Sequence, residues 1–173
     1  FDIEKKKILK DIHLLVTKFL QKKVKKKIKL ERLHSFVEPL ELNKIRMELY
    51  SFLNSKKNFV KNYYELGEEI LNIICGDELV MQRKINLSIQ LSLDDSSLLP
   101  LHSDVWSGCS PYEVVLWIPL VNCSKTNSMY ILPKDYNEEI YKNFKKYNSV
   151  KNIENTILKK AKFLNIKFGQ GLI

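Results

Sequence analysis

The chain has 173 residues, 45% hydrophobic and 28% charged, enough for one domain with a sizeable core and outside the disordered range. No apolar run reaches the roughly 18 residues of a spanning helix, and no charged-then-apolar start with a small-residue cleavage site is present. The cysteines, Cys75, Cys109 and Cys123, are an odd set without paired spacing, which argues against a disulfide framework and for a reducing, cytoplasmic setting.

The net charge of +9 is unevenly spread. Residues 1–61 hold 17 Lys/Arg against 7 Asp/Glu, whereas residues 62–173 hold 12 against 13. The excess is concentrated in Lys22, Lys23, Lys25, Lys26, Lys27 and Lys29. Such a run reads either as a surface for nucleic acid or acidic lipid, or as a solvated helix face in a composition rich in Lys, Ile and Asn. The scarcity of Arg and the lack of interleaved aromatics argue against nucleic acid. The chain starts at Phe1 and ends on Gly171-Leu172-Ile173, and is expected to be part of a longer reading frame.

In chain order, Ile8, Ile12, Leu15, Phe19, Val24 and Ile28 recur at helical spacing and predict an amphipathic helix from Asp2 to about Leu30. After Pro39, the series Leu42, Ile45, Leu49 and Phe52 predicts a second helix ending near Asn54-Ser55. A third is expected from about Asn58 to Ile74, closed by Gly76. Residues 1–76 thus read as helical scaffold. From Lys84 to Leu91 polar and apolar residues alternate, the pattern of a half-buried strand. Further extended stretches are expected at Leu98 to Val105, Tyr112 to Val121, Ser128 to Leu132 and Ala161 to Phe168, with turns between them and a helix-like or loop stretch over 134–160. Short strands at about ten-residue spacing suggest an antiparallel sandwich or barrel, so residues 77–173 are expected to form a β core.

The chemistry-bearing motif is Leu101-His102-Ser103-Asp104-Val105. On a strand, residues two apart share a face about 6.6 Å apart at Cα, so His102 and Asp104 can meet at one ion. An imidazole and a carboxylate are two-thirds of the facial triad that holds Fe(II) with open positions. On the tripeptide alone, a strand-end histidine hydrogen-bonded to a nearby aspartate, with no metal, is the favoured reading.

Its surroundings add to it. Pro100 to Asp104, the glycine loop Trp106-Ser107-Gly108, Val115-Leu116-Trp117-Ile118-Pro119-Leu120, and Asn127 to Pro133 occur in that order. Over residues 79–133, and more loosely 161–173, the chain resembles the Fe(II)/2-oxoglutarate-dependent dioxygenases, in particular the phytanoyl-CoA-hydroxylase-like branch and small oxygenases of bacterial carbohydrate clusters. The resemblance implies an α+β protein with a double-stranded β-helix (jelly-roll or cupin-like) core and an N-terminal helical segment. It implies His102 and Asp104 as iron ligands, and Fe(II), 2-oxoglutarate and O2 as cofactor and cosubstrates. Residues 169–173 look like the turn before the distal histidine ligand and the 2-oxoglutarate-binding arginine, which are expected beyond Ile173; His13 and His34 are poor substitutes. The resemblance also implies that a polar group on the first strand helps hold cosubstrate or substrate. Asn86, Ser88 and Gln90 share one face there, and a solvated face accounts for them equally. Trp117 and Ser128 are expected to line the barrel; for Trp117 the core is the other reading. The carboxylate at Asp104 favours hydroxylation over halogenation, on a small metabolite or carbohydrate precursor. Arg83 fits an anionic substrate or a surface charge. Cys109 and Cys123 sit in turns without the partners that zinc or thiol catalysis needs. Two other classes stay open: a non-catalytic cupin-like ligand-binding barrel, and a basic-helix protein that binds nucleic acid or membrane.

Overall fold

The computed structural model describes residues 1–99, 101–147, 149–158 and 160–173, so Pro100 of the histidine motif lies outside the described residues. The chain divides into two compact units. Unit 1 comprises Phe1–Leu98, Leu116–Val121 and Gly169–Ile173, and unit 2 comprises Leu99–Val115 and Asn122–Phe168.

Unit 1 is built on helices α1 (Lys6–Val24), α2 (Pro39–Asn54), α3 (Phe59–Glu65) and α4 (Glu68–Cys75). In α1 the stripe is wide: Leu9, Ile12, Val16 and Leu20 are buried, with Ile8, Leu15 and Phe19 half-buried beside them. These meet Leu42, Leu49 and Leu53 of α2, and the Phe19 and Phe52 rings lie 4.9 Å apart. Pro39 occupies the first turn of α2, where its missing N–H costs nothing. Helix α1 stops earlier than its periodicity predicts. Lys25 takes a left-handed φ of 53°, and the reversal places Ile28 in the core, its carbonyl accepting from Gln21 Nε2 at 3.0 Å. The predicted third helix breaks in two at Gly67. A Cβ there would fall 2.7 Å from Leu116 Cδ1, so a larger residue would have to displace the end of that leucine side chain. Gly76 ends α4 with φ 81°.

The alternating segment 84–91 keeps its alternation in burial: Ile85 and Leu91 are buried, Leu87 and Ile89 half-buried, and Asn86, Ser88 and Gln90 exposed. Its backbone joins no assigned ladder among the described residues. Instead the side chain of Asn54 imitates a neighbouring strand, with Oδ1 accepting from Ile85 N at 2.8 Å and Nδ2 donating to Ile85 O at 3.0 Å. The last five residues run antiparallel to Phe1–Ile3, where Ile3 N donates to Gly169 O and Gly171 N to Phe1 O, and Leu172 exchanges paired 2.9 Å bonds with Trp117.

Unit 2 holds α5 (Lys134–Asn143), α6 (Val150–Ile157), and the antiparallel pair β1 (Tyr130–Ile131) and β2 (Lys162–Phe163). Ile140, Ile153 and Ile157 form its buried core, with Leu101, Trp106, Leu132 and Tyr147 packed on it. Tyr130 faces Phe163 in the ladder, and Cys123 bridges to Ile166. Between those pairings one side advances seven positions and the other three; the surplus is taken up by a 3-10 turn, Lys125–Asn127, closed by reciprocal bonds between Ser124 and Asn127.

The expected double-stranded β-helix core is therefore not what the chain forms. The molecule is mostly helical, and its only multi-residue ladder among the described residues is the two-residue pairing of β1 with β2. The physical reason lies in the edges. A closed β core must pair every strand edge, whereas residues 84–91 are held by the Asn54 amide and the Tyr112–Val121 run is bridged, among the described residues, at Trp117 alone. Tyr112, Val114 and Val115 of that run stay exposed, while residues 134–157 are largely helical, in line with the helix-like or loop stretch expected there.

Candidate functional site

His102 precedes Ser103, whose extended backbone (φ −125°, ψ 137°) leads into a single 3-10 turn that begins at Asp104 and ends at Ser107. Gly108, at φ 89°, closes that turn, and Cys109 N donates to Asp104 O at 3.2 Å. Asp104 therefore lies on a tight turn and not on a strand. The turn brings the two side chains near each other. His102 Nε2 and Asp104 Oδ1 are 3.8 Å apart, with the two side chains 46% and 51% exposed.

The flanking residues fasten this loop to unit 2. Leu101 and Trp106 pack on the Ile140–Ile153–Ile157 core. The Trp106 ring is 5.5 Å from that of Phe144, and the Ser103 and Tyr141 hydroxyls are 3.5 Å apart. The holding residues are 101, 103 and 106, while 102 and 104 are exposed; two-residue alternation covers 101–104, and the 3-10 turn then brings Trp106, in place of the exposed Val105, onto the core.

The loop is anionic. The neighbouring Glu113 carboxylate, followed by partial burial and the charge of Asp104, holds the Cys109 thiol above its ordinary range. The thiol is thus kept protonated, unlike a nucleophilic cysteine. Reading the sequence left out Glu113 and the Ser103–Tyr141 and Trp106–Phe144 contacts; the four-residue spacing of Cys109 and Glu113 was the available signal for the first.

A cation about 2.1 Å from each donor at a right angle needs them about 3 Å apart, closer than the 3.8 Å between His102 Nε2 and Asp104 Oδ1. The donor types, an imidazole and a carboxylate, are those of two positions of a facial triad. No group of three or more His, Cys, Asp and Glu is placed to hold a metal ion among the described residues, so the third protein position of a facial triad is not supplied there.

The remaining sequence candidates are dispersed. Asn86 and Gln90 are exposed residues of unit 1. Asn86 lines a shallow cleft of about 290 Å³ with Arg46, Met47, Tyr50 and Leu87. Trp117, half-buried in unit 1, carries the bridge to Leu172. Ser128 belongs to unit 2; its Oγ is shut off from solvent with no hydrogen-bond partner among the described residues. His13, on α1, and His34, in the 3-10 turn Leu30–Ser35, are in unit 1. Comparison with family models, curated proteins and solved structures finds no match to this chain. No helix among the described residues is long and apolar enough to cross a membrane.

Proposed function

We propose that the chain contributes His102 and Asp104 as two ligands of a non-haem Fe(II)/2-oxoglutarate-dependent oxygenase that hydroxylates a small metabolite or carbohydrate precursor. One observation carries the reading: an imidazole and a carboxylate 3.8 Å apart, both half-exposed, on a loop fastened by its neighbours. When bound, Fe(II) with 2-oxoglutarate supplies the oxidation of an unactivated C–H bond by O2. The chain's own residues orient the donors. Leu101, Ser103 and Trp106 fix the loop, and the Asp104 and Glu113 carboxylates favour a cation over an anion there. The missing third donor makes binding by these two alone weak.

Anaerobic titration of the chain with Fe(II), with and without 2-oxoglutarate, tests the reading. A weak visible charge-transfer band is expected with both present, and Asp104→Ala and His102→Ala are expected to weaken Fe(II) binding at least tenfold. Equal binding by wild type and both variants overturns the assignment. The pair is exposed, so neither substitution disturbs packing.

A further inference from the structure

The lysine run lies at one corner of unit 1, together with apolar side chains that point into water. Helix α1 ends at Val24, and only Lys22 and Lys23 lie in its last turn, where the helix dipole favours cations. Lys25, Lys26, Lys27 and Lys29 lie beyond it and are exposed, so the dipole does not account for them. Lys23 pairs with Glu48, and Lys26 Nζ lies 5.7 Å from the centre of the Phe36 ring. Lys23, Phe36, Lys44 and Glu48 line one shallow cleft of about 240 Å³ with Glu41. Next to Glu41, in the first turn of α2, Leu40 is 98% exposed, and Phe36 is 38% exposed. Over residues 22–48 nine Lys/Arg face four Glu, a local excess of five positive charges.

We infer that this corner, carried by Lys22 to Lys29, Phe36 and Leu40, docks on an anionic phospholipid surface. Clustered lysines next to an exposed aliphatic wedge suit headgroup attraction followed by shallow insertion. The side chains choose lipid over nucleic acid. Seven of the nine basic residues are Lys, which act on phosphates as point charges without the planar fork of Arg. Leu40 has nothing to offer a phosphate backbone, while its burial among acyl chains is favourable. The inference is independent of the oxygenase reading, since none of these residues belongs to the His102 loop.

Sedimentation of the chain with vesicles tests it, comparing pure phosphatidylcholine with phosphatidylcholine mixed with phosphatidylserine, and with duplex DNA as a separate ligand. Binding to the anionic vesicles only is expected, falling with salt. The triple variant Lys25→Ala, Lys26→Ala, Lys27→Ala is expected to lose about 100-fold in partitioning, about fivefold per lysine. Leu40→Ser is expected to lose about tenfold with an unchanged thermal melt, its side chain being in solvent already. Failure to bind anionic vesicles, equal binding to neutral ones, or unchanged partitioning of Leu40→Ser overturns the inference. So does DNA binding without vesicle binding.

Discussion

Tyr63 shows how one side chain ties stability to pH. Its hydroxyl donates to Leu116 O at 2.8 Å, and burial pushes its pKa up to about 12, against which an Ile118 backbone N–H bond to the phenolic oxygen pulls weakly. The folded state thus holds the phenol proton more tightly than the unfolded chain. The stabilisation is complete below the ordinary tyrosine pKa of 10 and is lost between pH 10 and about 12. The loss across that window amounts to about 2 to 3 kcal/mol. Tyr63→Phe is expected to cost about 1 kcal/mol at neutral pH, through the carbonyl it leaves unpaired, and to flatten the alkaline decline. Urea melts of both proteins across the window check this; parallel declines would remove Tyr63 as the cause. The candidate site is also decided by single residues. His102 and Asp104 were legible as a motif, because spacing two apart brings them together on a strand or, as here, across the entry to a turn. The Glu113 carboxylate beside Cys109 was not, since its place depends on where the loop folds back.

Among elements, the segment 84–91 has the side-chain pattern of a strand but pairs through a single amide. Asn54→Ala removes both bonds to Ile85 and a third, from Nδ2 to Tyr50 O at 2.9 Å. The expected cost is about 2 to 4 kcal/mol, because Ile85 is buried and its N–H and C=O are left without partners. Chemical denaturation measures it, and a loss below about 0.5 kcal/mol would show that water replaces the amide readily. The example explains what could be read in advance. Period in the sequence reports which face of an element turns inward, not every buried side chain: Ile12, Leu42 and Leu49 are buried as the spacing predicts, Ile8, Leu15, Phe19, Ile45 and Phe52 only half-buried, and Leu9, Val16, Leu20 and Leu53, which the spacing passed over, fill the core. It does not report which backbone lies alongside, and a barrel is a statement about backbone neighbours. Helix ends were legible where a local residue sets them, as Pro39 and Gly76 do. They were not legible at Gly67, which packs against Leu116, nearly fifty positions away, or at Lys25, where a lysine takes the left-handed turn that usually marks a glycine.

At the scale of the whole molecule the two units differ in how much apolar surface they remove from water. Among the residues whose burial is described, the buried apolar side chains of unit 2 are Cys123, Ile140, Ile153 and Ile157; the others, from Ile3 to Ile118, lie in unit 1. Stability scales with such burial, so unit 2, which carries His102 and Asp104, is expected to open first. Trp106 packs on the core of unit 2 and Trp117 bridges to Leu172 in unit 1, and the chain has no other tryptophan. The Trp117→Phe variant therefore fluoresces from unit 2 alone, and Trp106→Phe from unit 1 alone. In urea the first is expected to change its emission at the lower midpoint, and coincident midpoints would mean that the units unfold as one. The placement of two indoles thus gives the molecule an internal optical gauge for each half, with no attached dye.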